Sequence, residues 1–444
     1  MKYDLIILGC GPGGYRAAVK AAGHNLKTAV IDPEDMGGTC LNRGCVPTKL
    51  LLGSTSVVSH LKNQKKLRLA QGQAEFDLSS LQARKHSIIK ASQKSMRASL
   101  ESLGADIYPG RGRLASPKTV QTGDYELSAH NLILATGSRS GSLPGLKPDH
   151  KTILTSTDAL ELAEPPESLA IIGAGAVGIE TGQIFHRLGT RITLIEAMNN
   201  VAPMEDELVS RELLKYLKRE GWDVRLGSKV ERVCPDSNGL KIYLNNTETV
   251  TAGKCLLAMG RLPNSHDLNL EAAEIDVLGP GWIKTDKYLM AGSSIYAIGD
   301  VNGISLYAHS AADQAEYVVD RIMGKTSKPY HADPMPSCLY GSMEVIRTGL
   351  GQKELSQDDA SCTVTQASLA ANTIVQSHGQ VQGFIRVFWK DGHVAGITGV
   401  GCGLSSLITL AQVITEQKWT RQDARKYVFA HPTLDEALKE ALLA

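Results

Sequence analysis

The fold is decided by residues 3–32, which read YDLIILGCGPGGYRAAVKAAGHNLKTAVID. An apolar, β-branched run leads into a G-x-G-x-x-G turn, a stretch of helical apolar periodicity, a glycine and a second apolar run that ends in an acid. This order predicts a strand, a helix and a second strand. The same order recurs at residues 168–196, SLAIIGAGAVGIETGQIFHRLGTRITLIE. The chain therefore contains an internal repeat of one βαβ unit.

The two copies are in register at the positions that carry chemistry. A constant shift maps the first set onto the second: Gly9, Gly11, Gly14 and Asp32 onto Gly173, Gly175, Gly178 and Glu196. The three glycines allow a tight turn, close approach of a pyrophosphate and close packing of helix on strand. The helix N-terminus attracts phosphates, and the terminal acid bonds ribose hydroxyls. One copy is a weak signal, but two copies in register predict two dinucleotide sites and electron transfer between them.

The composition limits the classes of function. The chain has 444 residues, which suggests two to four domains. Its net charge is +1 and its aromatic residues are few, so nucleic acids and anionic membranes are not predicted partners. No apolar run approaches a membrane span, and the N-terminus has no signal-peptide pattern. We therefore expect a cytoplasmic protein that does not enter membranes.

Two cysteines lie five positions apart in residues 37–49, GGTCLNRGCVPTK. Buried thiols, half of a zinc site and a redox-active disulfide are the competing interpretations. The polar, glycine-rich setting fits buried thiols poorly, and zinc would need two more ligands at short spacing, which the flanking sequence lacks. The spacing allows Cys40 and Cys45 to reach disulfide distance, and a nearby helix N-terminus favours a thiolate. A redox pair is the favoured interpretation, and no metal site is predicted.

The second dinucleotide site has a feature that favours NAD. An NADP site usually needs an arginine near the ribose for the 2′-phosphate. Glu196 is followed by Ala197, Met198, Asn199 and Asn200, none of which is a cation. A carboxylate would repel a 2′-phosphate, so the sequence predicts NAD at this turn.

The cysteine segment closely resembles the active-site disulfide of the class I pyridine nucleotide–disulfide oxidoreductases. The resemblance covers nearly the whole chain and, within the family, is strongest to dihydrolipoamide dehydrogenases. Further matching segments occur in the family's order along the chain: LILATGSRS at 132–140, LLAMGRLPN at 256–264, IYAIGDV at 295–301, LYAHSAADQA at 306–315 and FAHPTLDE at 429–436.

The resemblance implies an α/β protein with two Rossmann-like dinucleotide-binding domains and a C-terminal α+β dimerisation domain. The implied division is an FAD domain at 1–140 and 261–330, an NAD domain at 141–260 and a dimerisation domain at 331–444. It also implies a homodimer whose active sites each combine the disulfide of one subunit with the histidine of the other.

The resemblance also implies a set of site residues. Cys40 would exchange with the substrate sulfur, Cys45 would donate electrons to the flavin, His431 would be the acid/base and Glu436 would orient it. The implied FAD contacts are Gly9, Gly11, Gly13, Gly14, Asp32, Gly38, Thr39, Lys49, Gly112, Thr136, Gly137, Asp300, Leu306, Ala308 and His309. The implied NAD contacts are Gly173, Gly175, Gly178, Glu180, Glu196, Gly260 and Arg261.

The implied activity is oxidation of dihydrolipoamide by NAD, in the service of a lipoyl-carrying protein of a 2-oxo acid dehydrogenase or glycine-cleavage complex. The alternatives are an NADH-dependent reductase of another disulfide, a sulfur compound or a metal ion, of the glutathione reductase or mercuric reductase kind, and a non-catalytic subunit that docks lipoyl carriers. Departures from the family pattern bear on this choice: Arg43, residues 338–349, Phe429 and Ser406.

Overall fold

The computed structural model describes residues 2–32, 36–142, 145–237, 239–245, 247–332, 335–355 and 361–444. Contacts between Cα atoms divide the chain into two compact units. Unit 1 comprises residues 1–48, 82–141 and 260–332, and unit 2 comprises residues 49–81, 142–259 and 333–444.

The helices of the described residues are α1 Pro12–Gly23, α2 Gly38–Arg43, α3 Cys45–Lys66, α4 Leu78–Ser102, α5 Ser156–Leu160, α6 Ala176–Arg187, α7 Glu207–Arg219, α8 Ala308–Ile322, α9 Gln352–Leu355, α10 Thr373–Ser377, α11 Ile408–Glu416, α12 Arg421–Lys426 and α13 Asp435–Leu443. Among these residues, no helix combines the length and the apolar character needed to cross a membrane.

The strands of the described residues are β1 Lys2–Leu8, β2 Thr28–Asp32, β3 Asp106–Pro109, β4 Arg113–Ser116, β5 Thr119–Thr122, β6 Tyr125–Leu134, β7 Ser138–Ser140, β8 Ile153–Leu154, β9 Ser168–Ile172, β10 Arg191–Ile195, β11 Asp223–Arg225, β12 Val230–Asp236, β13 Gly239–Leu244, β14 Thr249–Ala252, β15 Lys254–Leu257, β16 Arg261–Pro263, β17 Val277–Leu278, β18 Trp282–Ile283, β19 Met290–Gly292, β20 Ile295–Ala297, β21 Ser337–Leu339, β22 Glu344–Gly349, β23 Cys362–Ser368, β24 Gly383–Lys390 and β25 His393–Gly401.

Unit 1 is built on a sheet with the order β19-β20-β6-β1-β2-β3. Its central strands are parallel, and β1 lies between β2 and β6. Such strands are buried on both faces, and β1 accordingly contributes Leu5, Ile6, Ile7 and Leu8 to apolar clusters on the two sides of the sheet. The antiparallel strands β4 and β5 extend the sheet from β6. The glycine turn after β1 therefore lies at the carboxyl edge of a parallel sheet, where ligands of such folds bind.

Unit 2 contains a second parallel sheet with the order β11-β10-β9-β15-β8. β9 lies between β10 and β15, as β1 lies between β2 and β6 in unit 1. The three-stranded antiparallel sheet β12-β13-β14 packs beside it through the cluster that contains Ile242 and Ile195. The expected repeat is thus present as two sheets of the same local topology.

The C-terminal part of unit 2 is an antiparallel sheet with the order β21-β22-β25-β24-β23. One apolar cluster joins this sheet to α11 and α13 through Ile397, Ile414 and Leu438. Another joins it to the β9 region through Val345 and Leu169. This arrangement matches the expected α+β domain at the end of the chain.

The two units differ from the three-domain division expected from the sequence. Residues 49–81, expected in the FAD domain, group with unit 2, and the boundary falls inside α3. Residues 142–259 and 333–444 group together because shared apolar clusters join them. The three-domain division itself stays a prediction.

Candidate functional site

The first glycine turn joins β1 to α1 and is held by tight backbone contacts. Gly9 has a φ of +98°, and a Cβ built on it would lie 2.4 Å from the carbonyl oxygen of Ala135. A Cβ on Gly14 would lie 1.9 Å from the oxygen of Gly9. No side chain fits at either position, so glycine is required there. The backbone N–H of Gly9 donates to Ile31 at 2.8 Å and ties the turn to the neighbouring strand.

The second turn, between β9 and α6, repeats this geometry. Gly173 has a φ of +108°, and its Cβ would lie 2.3 Å from the oxygen of Ala258. A Cβ on Gly178 would lie 2.1 Å from the oxygen of Gly173. The N–H of Gly173 donates to Ile195 at 2.8 Å, the same bond as in the first turn.

The middle glycine of each turn has the room that a pyrophosphate needs. Apart from chain neighbours, no atom of the described residues lies within 4 Å of a Cβ built on Gly175. For Gly11 the nearest such atom is the Cα of Gly38, at 4.0 Å. Gly11 and Gly175 are also the residues that cap the N-termini of α1 and α6, where unpaired N–H groups attract phosphates. Both turns therefore fit a dinucleotide.

Each turn is closed by the predicted acid. The carboxylate of buried Asp32 accepts the N–H of Cys10. Glu196 accepts the N–H of Ala174 at 2.8 Å through one oxygen and that of Met198 at 2.9 Å through the other. Both acids lie where a ribose bound at the turn would meet them.

The cysteine segment spans two helices separated by a turn. Half-buried Cys40 lies in α2, whereas exposed Cys45 is the first residue of the 22-residue helix α3. A Cβ on Gly44 would lie 3.4 Å from the Cα of Cys40, so the residue before Cys45 packs against Cys40. The positive end of the α3 dipole favours negative charge at Cys45.

Thr39 lies beside Cys40 in α2. Gly38 lies so close to the first glycine turn that a Cβ built on Gly38 would be 2.7 Å from the Cα of Gly11.

Asp300 belongs to a polar triad in unit 1. Its Oδ2 accepts a hydrogen bond from the hydroxyl of Ser138 and lies 3.4 Å from Nε of Arg261. Arg261 also donates to the backbone oxygen of Ser138 at 2.7 Å. Arg261 was expected at the NAD site. It lies in unit 1 with Asp300, and so does Gly260, whose oxygen accepts the N–H of Gly141 at 2.9 Å. The contact of both residues with NAD stays a prediction.

The other expected FAD residues of unit 1 lie near the carboxyl ends of the central strands. Thr136 and Gly137 follow β6, where the Thr136 hydroxyl donates to Asn264 at 2.7 Å. Gly112 packs on Leu8, so a Cβ built on Gly112 would lie 3.1 Å from the Leu8 side chain. Leu306 is exposed, Ala308 begins α8, and the ring of His309 stacks on Tyr307 with centroids 5.2 Å apart. Gly13 packs against Ala311 of α8.

Lys49 and Glu180 form an ion pair within unit 2. The Nζ of Lys49 lies 2.6 Å from Oε2 of Glu180, whose side chain is buried. The other oxygen of Glu180 accepts the N–H of Tyr340 at 3.0 Å, and the ring of Tyr340 lies 4.5 Å from the Lys49 ammonium. Burial raises the pKa of Tyr340 to about 12, so its hydroxyl stays neutral beside this pair.

His431 and Glu436 also meet. The Nδ1 of His431 lies 3.0 Å from Oε1 of Glu436, and the N–H of Thr433 donates to the same carboxylate at 3.1 Å. The Thr433 hydrogen bond and the histidine lower the pKa of Glu436. The carboxylate therefore bonds Nδ1 and orients the imidazole ring, and Nε2 is the ring nitrogen that can exchange a proton with a substrate. The imidazole is 74% exposed, and the His431–Pro432 peptide bond is cis.

Three residues of these clusters were not predicted from the sequence. Ser138 directly follows the expected Gly137, so its place in the motif was a usable signal. Tyr340 lies in a segment that departs from the family pattern, and Thr433 acts through its backbone N–H. The sequence alone gives no indication of the roles of Tyr340 and Thr433. The ring contact of Tyr340 and the backbone hydrogen bond of Thr433 both depend on tertiary packing.

Comparisons with known proteins match one family over nearly the whole chain. The family model described as pyridine nucleotide-disulphide oxidoreductase matches residues 3–315, and that of its dimerisation domain matches residues 335–442. A dihydrolipoyl dehydrogenase of Chlorobaculum tepidum is 32% identical over 99% of this chain and 96% of its own length.

Two solved structures share the fold. LpdA from Mycobacterium tuberculosis superposes with a TM-score of 0.91 at 25% identity and covers 100% of this chain and 99% of its own. The flavoprotein disulfide reductase RclA from Escherichia coli has a TM-score of 0.89 at 23% identity, with the same coverage. Both dinucleotide turns, the cysteine segment and the full-length matches lead to one conclusion: the chain belongs to the pyridine nucleotide-disulphide oxidoreductase family, whose flavoenzymes use FAD and NAD(H).

Proposed function

We propose that this enzyme oxidises dihydrolipoamide with NAD⁺ by way of a Cys40–Cys45 disulfide. The dithiol of the substrate becomes a disulfide, and the enzyme disulfide becomes two thiols. Reoxidation of those thiols then delivers two electrons and a proton to NAD⁺ as a hydride and releases a second proton. The relatives named dihydrolipoyl dehydrogenase support this substrate over other disulfides.

The observation that carries the proposal is the His431–Glu436 pair, 3.0 Å apart. A dithiol must lose a proton before its sulfur attacks a disulfide. With Nδ1 bonded to Glu436, Nε2 of His431 accepts that proton, and the carboxylate stabilises the resulting imidazolium. Glu436 is ionised at neutral pH, and the Thr433 N–H and the histidine lower its pKa further below the ordinary value.

The two cysteines have distinct proposed roles. Exposed Cys45 begins α3 and half-buried Cys40 lies in α2, so the two sulfurs have different surroundings. By resemblance, Cys40 forms the mixed disulfide with the substrate and Cys45 carries electrons onward. FAD bound at the first turn would supply the two-electron chemistry that links the cysteine pair to NAD⁺. Gly11, Asp32 and Asp300 would hold FAD, and Gly175 and Glu196 would hold NAD(H).

We also propose a cytoplasmic homodimer that serves a lipoyl-carrying protein, with each site shared by two subunits. The match to a dimerisation domain supports the dimer. Tyr427 and Val428, four and three residues before the histidine, are exposed and largely apolar, and Val428 is 96% exposed. An apolar side chain this exposed, three residues before the proposed catalytic histidine, is suited to contact with a second copy.

The proposal is tested by turnover of the FAD-loaded enzyme with dihydrolipoamide and NAD⁺, and with NADH against lipoamide, glutathione disulfide and mercuric ion. We expect lipoamide to be the best disulfide. His431→Gln should reduce kcat about 10²–10⁴-fold, the range of general acid–base catalysis. The matched control is His393→Gln, at an exposed histidine whose Nδ1 lies 2.9 Å from the backbone oxygen of Asp391, and it should retain activity. Negligible lipoamide turnover beside rapid turnover of another disulfide would refute the substrate.

The shared site is tested by refolding Cys45→Ser and His431→Ala chains together. Each homodimer is inactive. If subunits pair at random, half of the dimers are mixed, and a mixed dimer has one intact site when sites are shared. Activity should then recover to about a quarter of the wild-type value. Recovery no greater than that of the single variants would show that each site uses one chain.

A further inference from the structure

The backbone of one exposed apolar residue, Met198, is hydrogen-bonded beside the acid of the second turn. Met198 is 55% exposed, yet its backbone is bonded on both sides. Its N–H donates to Oε1 of Glu196 at 2.9 Å, and its carbonyl accepts the N–H of Gly227 at 2.9 Å. Single exposed apolar residues are common on protein surfaces. Met198 differs because two bonds fix its position relative to a functional carboxylate.

The neighbouring residues keep this segment in place. The Ser228 N–H donates to the Glu196 carbonyl at 2.9 Å, and that of Ala202 donates to Ala174 in the glycine turn at 2.8 Å. A Cβ on Gly227, which has a φ of +63°, would lie 2.9 Å from Oδ1 of Asn199. The loop is therefore anchored to the turn before, at and after Met198, so the side chain of Met198 starts from a fixed backbone position near the carboxylate.

The chemistry of the ligand follows from this position. Glu196 would bond the hydroxyls of the adenosine ribose, and an adenine base is attached to that sugar. The base is flat, aromatic and apolar on its faces. A thioether is flexible and polarisable, and it makes favourable contacts with aromatic rings.

We infer that Met198 is the residue that covers the adenine ring of NAD(H) at the second turn, so that Glu196 selects the ribose and Met198 contributes affinity for the base. This inference rests on the use of NAD(H) at Gly173–Gly178 and is independent of the disulfide substrate.

The inference is tested with two partial ligands and the FAD-loaded enzyme. ADP-ribose contains the adenosine half, and its dissociation constant is measured by calorimetry. Reduced nicotinamide mononucleotide lacks that half, and its kcat/KM is measured by turnover. Met198→Ala should weaken ADP-ribose binding about 3–10-fold and leave use of the mononucleotide unchanged. Met198→Leu, which keeps an apolar side chain of similar volume, should bind ADP-ribose within about twofold of the wild type.

The matched control is Met204→Ala. Met204 belongs to the same loop and is 80% exposed, and none of the hydrogen bonds described here joins it to Glu196. It should bind ADP-ribose as the wild type does. Equal affinities of Met198→Ala and the wild type would overturn the inference, and so would equal losses in both methionine variants. A wild type that does not bind ADP-ribose would overturn the dinucleotide assignment itself.

Discussion

The two glycine turns have the same backbone bonds but different surroundings. In unit 1, Gly13 packs against the backbone of Ala311 in α8, and Gly11 lies next to Gly38 of the redox segment. At the equivalent positions in unit 2, Val177 is 41% exposed and a Cβ on Gly175 would meet open space within the described structure. The first turn is enclosed by distant parts of its own unit, whereas the second is open.

This difference matches the roles of the two dinucleotides. A cofactor that stays bound through many cycles benefits from a turn enclosed on several sides, because enclosure slows dissociation. A substrate that must leave after each cycle needs an open turn. On the proposed assignment, the same βαβ unit would serve as a resident FAD site in unit 1 and as an exchanging NAD(H) site in unit 2.

Exchanging the residues at the fifth position of the two G-x-G-x-x-G turns, Gly13 and Val177, should have the largest effect. A Cβ on Gly13 would already lie 3.0 Å from the oxygen of Ala311, and valine adds two methyl groups. We expect Gly13→Val to destabilise the fold by about 1–3 kcal/mol and to reduce the FAD bound per chain, as measured by thermal unfolding and flavin absorbance.

The reverse exchange is the control. Val177→Gly removes an exposed side chain in the first turn of α6 and should cost only about 0.5–1 kcal/mol, with FAD content unchanged. Equal losses of FAD in the two variants would contradict the contrast between an enclosed and an open turn.

Changing the acid of the open turn should affect catalysis and leave flavin content intact. Glu196→Gln keeps the shape but replaces a carboxylate that accepts two backbone N–H groups. Hydrogen bonds to charged groups contribute about 1.5–3 kcal/mol, so kcat/KM for NADH should fall about ten- to hundredfold. Glu248→Gln, at an acid paired with Arg225 on the surface, is the control. Equal use of NADH and NADPH by the wild type would refute this interpretation of Glu196.

The smallest expected effect is the resistance of Cys10, in the enclosed turn, to alkylation by iodoacetamide. Burial raises the pKa of the Cys10 thiol to about 12, so the thiol stays protonated at about pH 8 and lacks the nucleophilic thiolate. In the folded enzyme, iodoacetamide should modify exposed Cys362 and leave Cys10 unmodified, as read by mass spectrometry. Both cysteines should react in urea, where the chain is unfolded. Equal rates of modification of Cys10 and Cys362 in the folded enzyme would show that the first turn is open.

The features predicted from sequence are those that short-range pattern determines. The glycines and terminal acids of each copy belong to one short βαβ segment, and the structure places the glycines in the turn with the acid bonded to a backbone N–H of that turn. Enclosure of the first turn could not be predicted, because Ala311 is far along the chain from Gly13 and only the fold joins them. The contact of Arg261 with Asp300 was missed for the same reason. Pairing of His431 with Glu436 was predictable because one short motif contains both.

The central claim is that electrons pass from a dithiol through the cysteine pair to NAD⁺ at the open turn. The most direct measurement is anaerobic: the FAD-loaded enzyme is reduced with one equivalent of dihydrolipoamide, freed of small molecules, and then mixed with NAD⁺. We expect the wild type to form NADH and to lose the two thiols at Cys40 and Cys45 that reduction had made available for alkylation, whereas Cys45→Ser should form none. NADH formation by Cys45→Ser at the wild-type level, or an unchanged thiol count in the wild type, would contradict the account.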